Sequence, residues 1–333
     1  MNYSIELFRY ILMMVLIAWH GQFGFFCHGY LVVEFFFILS GFFLYRSYLR
    51  QQTGCVDFTK RRLKRTYVVY LIACFMAFAL QIFPRILTQP HLLSVNDFIK
   101  LLPELLLMQN IGIYSGGYNY PLWYYSVLIW GGAIWYAILR FNAKACVNIV
   151  LPLFVLSYYS WHFGNYDSLE VWGHHGIYVP FFRGLADMGT GILLACLVPY
   201  VPVNSLSKLV MHFMTITSLP LFAYLLYAQA SYDKYCLILI PLILLDCIHK
   251  DGLLGKLLNR RVFSFMGGVS FEMYVLHFPL ILLFNKVKNV CGVSASPLSV
   301  FVVYVVLITI ISIFFKKLCN KMECFLWKKN NPK

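Results

Sequence analysis

Long apolar stretches recur along the whole chain, and no water-soluble fold could hide them all. Ten can be marked, at roughly 8–26, 30–48, 67–83, 121–140, 146–160, 178–199, 209–229, 235–249, 262–284 and 298–315. Each is close to the length at which a helix crosses a bilayer's hydrocarbon core. In lipid the backbone must satisfy its own hydrogen bonds, which selects helices here. Composition agrees, with 61% of the 333 residues hydrophobic and only 12% charged. The expected fold is all-α: a polytopic bundle of about ten transmembrane helices forming one domain over 1–333, with no soluble domain. No cleavable signal peptide is expected, because the first apolar stretch runs on without a small-residue cleavage site.

The formal net charge of +14 would suggest nucleic acid in a soluble chain. Here the basic residues sort by side. With both termini cytoplasmic, only Arg85, Lys100, Arg183, Lys234, Lys286 and Lys288 of the 27 Lys and Arg fall outside. That asymmetry is the positive-inside pattern, so a nucleic-acid partner is not expected and membrane lipids are. The cysteines lie mostly within apolar runs (Cys74, Cys196, Cys236, Cys247) and show no CxxC spacing. They read as small buried hydrophobes, with neither a disulfide framework nor a metal site.

A few polar groups stand out against this background. Arg9 and His20 are eleven residues apart, about three turns plus 20°, so they share a helix face about 16 Å apart. Glu34 lies on the next span, and a turn at His28-Gly29 would bring it level with His20. An imidazole and a carboxylate at one depth are costly unless they pair or meet water. The pair has the make-up of a general base with an orienting acid.

Further along, KRRLKR at 60–65 abuts the membrane. It reads either as a topology anchor for anionic lipid or as a phosphate clamp, with Arg62 and Arg65 on one helix face. Residues 84–120 form a long outer connection in which 97–110 is expected to be interfacial or re-entrant. The tyrosine-rich stretch before and around Trp123 suits an interfacial belt or a sugar-stacking surface. The outer loop 161–177 carries His162, Asp167, Glu170, His174 and His175, whose spacing fits a solvated loop or acceptor lid better than zinc. Arg183 and Asp187, four apart, read as a self-neutralising pair, with Arg183 also placed to meet an anionic group. Near the end, Ser270, Tyr274 and His277 form one stripe, suited to interhelical hydrogen bonding or to a substrate site.

Arg9, ten residues, His20 and then VEFFFILSGF at 33–42 resemble the opening of the acyltransferase 3 family of integral-membrane O-acyltransferases. RRLKR at 61–65, PLWYYSVLIW at 121–130 and SFEMYVLHFP at 270–279 resemble later elements of that family. Val68 stands where the family usually has proline, and Phe271 where it usually has tyrosine. The resemblance implies transfer of an acyl group, most often acetyl, from cytoplasmic acyl-CoA to a hydroxyl of a cell-surface glycan or lipid-linked oligosaccharide. It implies His20 and Glu34 as the catalytic pair, with His20 acting as base or as acyl-carrying nucleophile. Arg9, Arg62 and Arg65 would bind acetyl-CoA, a donor substrate and not a resident cofactor. Ser40, Trp123, Arg183, Tyr274 and His277 would bind substrate. The implied location is the bacterial plasma (inner) membrane. The competing classes are a secondary transporter and a glycan flippase or polymerase. The chain shows no inverted repeat and no broken-helix pair of the kind many transporters have.

Overall fold

In the computed structural model, residues 2–51, 53–89, 91, 94–172, 178–201, 204–228, 230–249, 251–292 and 294–328 are described, with helix alone assigned over 322–328. The described residues are mostly helical and form no strand beyond an isolated bridge between Gln109 and Tyr114. The helices are α1 (Tyr3–His20), α2 (Val32–Arg50), α3 (Cys55–Thr88), α4 (Val95–Ile99), α5 (Leu101–Leu105), α6 (Trp123–Ala145), α7 (Leu151–Asn165) and α8 (Val179–Leu197). They continue with α9 (Ser205–Leu225), α10 (Cys236–Ile248), α11 (Leu253–Leu258), α12 (Ser264–Gly268), α13 (Ser270–Val290) and α14 (Pro297–Lys328).

Among the described residues, seven helical segments are long and apolar enough to cross a bilayer, which makes this a multi-pass membrane protein. The bent pair Arg261–Gly268 and Ser270–Val290, meeting at 42°, makes the number up to eight and corrects the expectation that no helix pair is broken. The expected count of about ten is not reached, for two local reasons. Tyr120–Asn165 is one helical segment of 46 residues, passing through non-helical Asn142 (φ −155, ψ 94) and a π-turn at Cys146–Val150. Helix α10 has only 13 residues, about 20 Å at helical rise.

Helix α1 starts on Asn2, whose side-chain oxygen accepts from the N–H groups of Ser4 and Ile5 at 3.1 and 3.3 Å. It stops at His20, six residues before the expected end of the first span at 26. The sequence GQFG explains the stop: Gly21 caps the helix, Gln22 takes φ 52 and Gly24 takes φ 81, which glycine adopts freely. His20 is thereby the last helical residue, beside an irregular link to the 3-10 turn Gly29–Leu31.

The centre of the bundle is the α2–α8 contact. Hydrophobicity gives little reason for helices to associate within lipid, so close packing between small residues does the work. A Cβ on Gly41 would lie 1.9 Å from the Met188 carbonyl oxygen, and one on Gly191 would lie 1.9 Å from that of Ile38. The two backbones therefore touch at these glycines. Residues 97–110 fold back against the bundle, as α4, α5 and a short loop. The buried Glu104 carboxylate there accepts from the N–H groups of Tyr118 and Asn119 at 2.8 and 2.9 Å.

Candidate active site

Two adjoining cavities run through the bundle. The larger, about 680 Å³, is lined by Arg9 from α1, Ser40 from α2, Arg61, Arg62, Lys64 and Arg65 from α3, Tyr124 from α6 and Tyr274 from α13. The smaller, about 20 Å³, is lined by Trp19, His20, Tyr30, Trp123, Arg183, Glu170 and Trp172. That is room for about one water molecule. Leu16, Val33, Tyr124 and Tyr274 line both, so the wide cavity ends where the narrow one begins.

The wide cavity is strongly cationic. Arg9 Nη1 sits 2.9 Å from Glu6 Oε2, which compensates part of its charge. Arg62 Nη1 is buried without a hydrogen-bond partner, while the guanidinium carbon lies 5.8 Å from the centre of the Phe58 ring. A Cβ on Gly132 would lie 2.5 Å from that nitrogen, so glycine makes room for the arginine. Arg65 follows one turn later and is exposed. Arg61, bonded to Thr53 Oγ1, and Lys64 join them on the cavity wall. Ser40 Oγ lies 3.5 Å from the Tyr124 hydroxyl.

His20 and Glu34 do not pair. The partner of His20 is His277: its Nε2 lies 3.2 Å from His20 Nδ1, with ring centroids 5.0 Å apart. His277 Nδ1 meets the Tyr274 carbonyl at 2.5 Å, and the Tyr304 hydroxyl donates to the His277 carbonyl at 2.6 Å. Tyr274 itself donates to the Pro121 carbonyl. Glu34 is turned away because it lies seven residues before Gly41, two helical turns less about 20°, and so shares the face that packs on α8. There Arg183 Nε lies 3.3 Å from Glu34 Oε1, both side chains almost wholly buried. The expected Arg183–Asp187 pair is thereby widened: Glu34 is the carboxylate in direct contact, while Asp187, whose Oδ1 accepts from the Tyr159 hydroxyl, still acts on the Arg183 charge.

Arg183 also reaches outward. Its Nη1 donates to the Leu169 carbonyl, and its guanidinium carbon stands 5.4 Å from the Trp123 ring centroid. Trp123 meets Trp172 edge-on at 5.4 Å and 81°. The loop carrying Leu169 and Trp172 is held a second time by Asp233 Oδ2. That oxygen accepts from Tyr30 Oη (2.7 Å), Ser168 Oγ (3.0 Å) and Leu169 N (3.0 Å). Burial raises the Asp233 carboxyl above its ordinary range, against these three bonds. Burial likewise raises Glu170, with the Arg183 charge acting the other way. His162 is buried and bonds within its own neighbourhood, its Nε2 3.0 Å from the Ser168 carbonyl. His174 and His175 lie outside the described residues. Among the described residues, no group of three His, Cys, Asp or Glu side chains could hold a metal.

The acyltransferase-domain description of the acyltransferase 3 family matches residues 2–317. The chain belongs to that family. Curated relatives of the family member include the O-acetyltransferase OatA of Staphylococcus aureus strains NCTC 8325 / PS 47, COL and MRSA252. Each is 23% identical over 295 residues, covering 78% of this chain and 47% of the relative. The chain thus spans about half the length of these relatives. No solved structure matches it.

Within this acyltransferase-family bundle, the residues singled out by sequence fall into two groups. Arg9, Ser40, Arg62, Arg65 and Tyr274 meet at the wide cavity, and His20, Trp123, Arg183 and Tyr274 meet at the narrow one. His277 adjoins through His20, and Glu34 through Arg183. Sequence reasoning does not single out Arg61 and Lys64 as walls of the wide cavity, nor Tyr124 and Asp233 at all. Arg61 and Lys64 were visible within the charge run. Tyr124 is the neighbour of Trp123 in PLWYYS and could be found there, whereas Asp233 acts across 65 residues of sequence to Ser168 and carries no local signal.

Proposed function

We propose that this protein is a membrane O-acyltransferase moving an acyl group, acetyl in the first instance, from cytoplasmic acyl-CoA to a hydroxyl of a cell-surface glycan or lipid-linked sugar. One observation carries the reading: a wide cationic cavity adjoins a narrow aromatic one that holds His20, across shared walls. Arg9, Arg62 and Arg65 receive the donor's phosphates, since guanidinium groups bind phosphate oxygens in bidentate fashion. Ser40, Tyr124 and Tyr274 flank the thioester arm, which extends along the α1 face from Arg9 toward His20, about 16 Å by helical rise. His20 takes the proton of the acceptor hydroxyl as base, or takes the acyl group itself as nucleophile. Trp123 and Trp172 offer flat faces for a sugar ring. The Glu34–Arg183 pair holds the outer wall by gripping Leu169 and Trp123.

The name of the OatA relatives supports acetyl as the group and oxygen as its destination. We propose further that the chain lies in the bacterial plasma membrane with both termini cytoplasmic. Support comes from the basic residues left outside, six of 27, and from the cationic cavity opening beside the run 60–65.

Inverted membrane vesicles test donor side and chemistry together. With labelled acetyl-CoA added to their exposed cytoplasmic face, label should appear on lumenal glycan, and right-side-out vesicles should stay unlabelled. Transport or flipping without covalent labelling of any acceptor would refute the reading.

A further inference from the structure

His277 lies outside the lining of both cavities, yet it is the side chain bonded to the imidazole at the centre of the site. A carbonyl oxygen has no proton to give, so the 2.5 Å contact between His277 Nδ1 and the Tyr274 carbonyl requires the proton on Nδ1. A neutral imidazole protonated there has its lone pair on Nε2. That Nε2 faces His20 Nδ1 at 3.2 Å and can only accept, so His20 carries its proton on Nδ1. The Leu16 backbone, one turn back on α1, also hydrogen-bonds the His20 ring, and with the proton on Nδ1 the lone pair of His20 is left on Nε2. The chain of fixed donors and acceptors starts at a backbone carbonyl of α13, whose position the Tyr274–Pro121 and Tyr304–His277 bonds pin.

We infer that His277 is the positioning residue of His20, selecting the one tautomer that leaves Nε2 bare. This rests on the proposed role of His20 and deepens it. In the transfer step, Nε2 accepts the acceptor's hydroxyl proton as the new C–O bond forms and the thioester C–S bond breaks. The same proton then passes to the departing thiolate, which leaves as the thiol. Throughout, Nδ1–H stays donated to His277 Nε2, the place a carboxylate holds in Ser-His-Asp triads. A neutral imidazole there fixes orientation without adding a buried charge. If His20 instead carries the acyl group, the attacking atom is again Nε2, so the same tautomer is required.

Nitrogen-15 spectra of histidine-labelled protein in lipid nanodiscs read the tautomer directly, with the His20 signals assigned by their loss in His20→Ala. His20 should show Nδ1–H and bare Nε2; a resting state with the proton on Nε2 overturns the inference. Two substitutions then separate acceptor from bulk. His277→Gln keeps an oxygen acceptor near the Nε2 position, whereas His277→Asn keeps only a donor near Nδ1. Per folded molecule, His277→Asn should lose about 100-fold or more in kcat with an unchanged KM for acetyl-CoA, and His277→Gln should stay within about tenfold. Equal losses in the two variants, with His20→Ala inactive, would remove the role of His277 alone. Activity surviving in His20→Ala would remove the reading of His20 itself.

Discussion

The two cavities differ by more than thirtyfold in volume and in what lines them. The wide one, about 680 Å³, presents five cationic side chains, one guanidinium nitrogen among them buried and unpartnered by any hydrogen bond. The narrow one, about 20 Å³, is walled by aromatic rings and closed by a loop held at Leu169 from two directions. A cavity of the first kind suits a large polyanion arriving from water. One of the second kind keeps water away from a proton transfer, which strengthens every electrostatic interaction inside it. The lesson is that a single α1 face serves both ends: Arg9 belongs to the wide cavity and His20 to the narrow one.

That contrast is open to test, beginning with the narrow end. Replacing His20 with Ala should lower transfer by about 10³-fold or more while leaving membrane insertion and donor affinity unchanged. Acetyl transfer per folded molecule, alongside acetyl-CoA binding by calorimetry, is the measurement. Comparable loss of donor binding would erase the distinction between the cavities.

Glu34→Gln comes next and should act mainly on stability. It removes the carboxylate nearest the buried Arg183 charge and leaves Asp187 as the remaining acidic neighbour, so the cost should stay below the roughly 3–5 kcal/mol of a buried charge left wholly unpaired. The expected result is a lower thermal midpoint in detergent and fewer folded molecules. Activity should fall through the loosened outer wall, not through His20. Glu34→Gln with unchanged stability but abolished turnover would return Glu34 to the catalytic pair that the sequence suggested.

The smallest effects belong to the wide end. Arg62→Lys keeps the charge and loses the planar fork, so the apparent KM for acetyl-CoA should rise about tenfold with kcat preserved. Arg65→Lys, at an exposed position, should raise it by only about twofold. Steady-state kinetics at constant ionic strength separates the two. A larger effect at Arg65 than at Arg62 would relocate the phosphates toward the cavity mouth.

Much of this was legible in the chain itself. Apolar length gave the membrane and the helices, because lipid leaves the backbone no other way to satisfy its polar groups. The eleven-residue spacing of Arg9 and His20 gave a shared face, since helical periodicity converts sequence distance into angle without reference to neighbours. The charge run at 60–65 gave the wall of the wide cavity for the same local reason.

Pairing between helices was decided elsewhere. Which neighbour a buried polar side chain meets depends on how helices rotate against one another, and small residues far from it set that rotation. Gly41 and Gly191 bring α2 against α8, and this aims Glu34 at Arg183. Helix α13 then stands beside the end of α1, giving His20 a histidine 257 residues away in place of a carboxylate 14 residues away. Sequence spacing fixes the face a side chain occupies; only the packed bundle determines what that face meets.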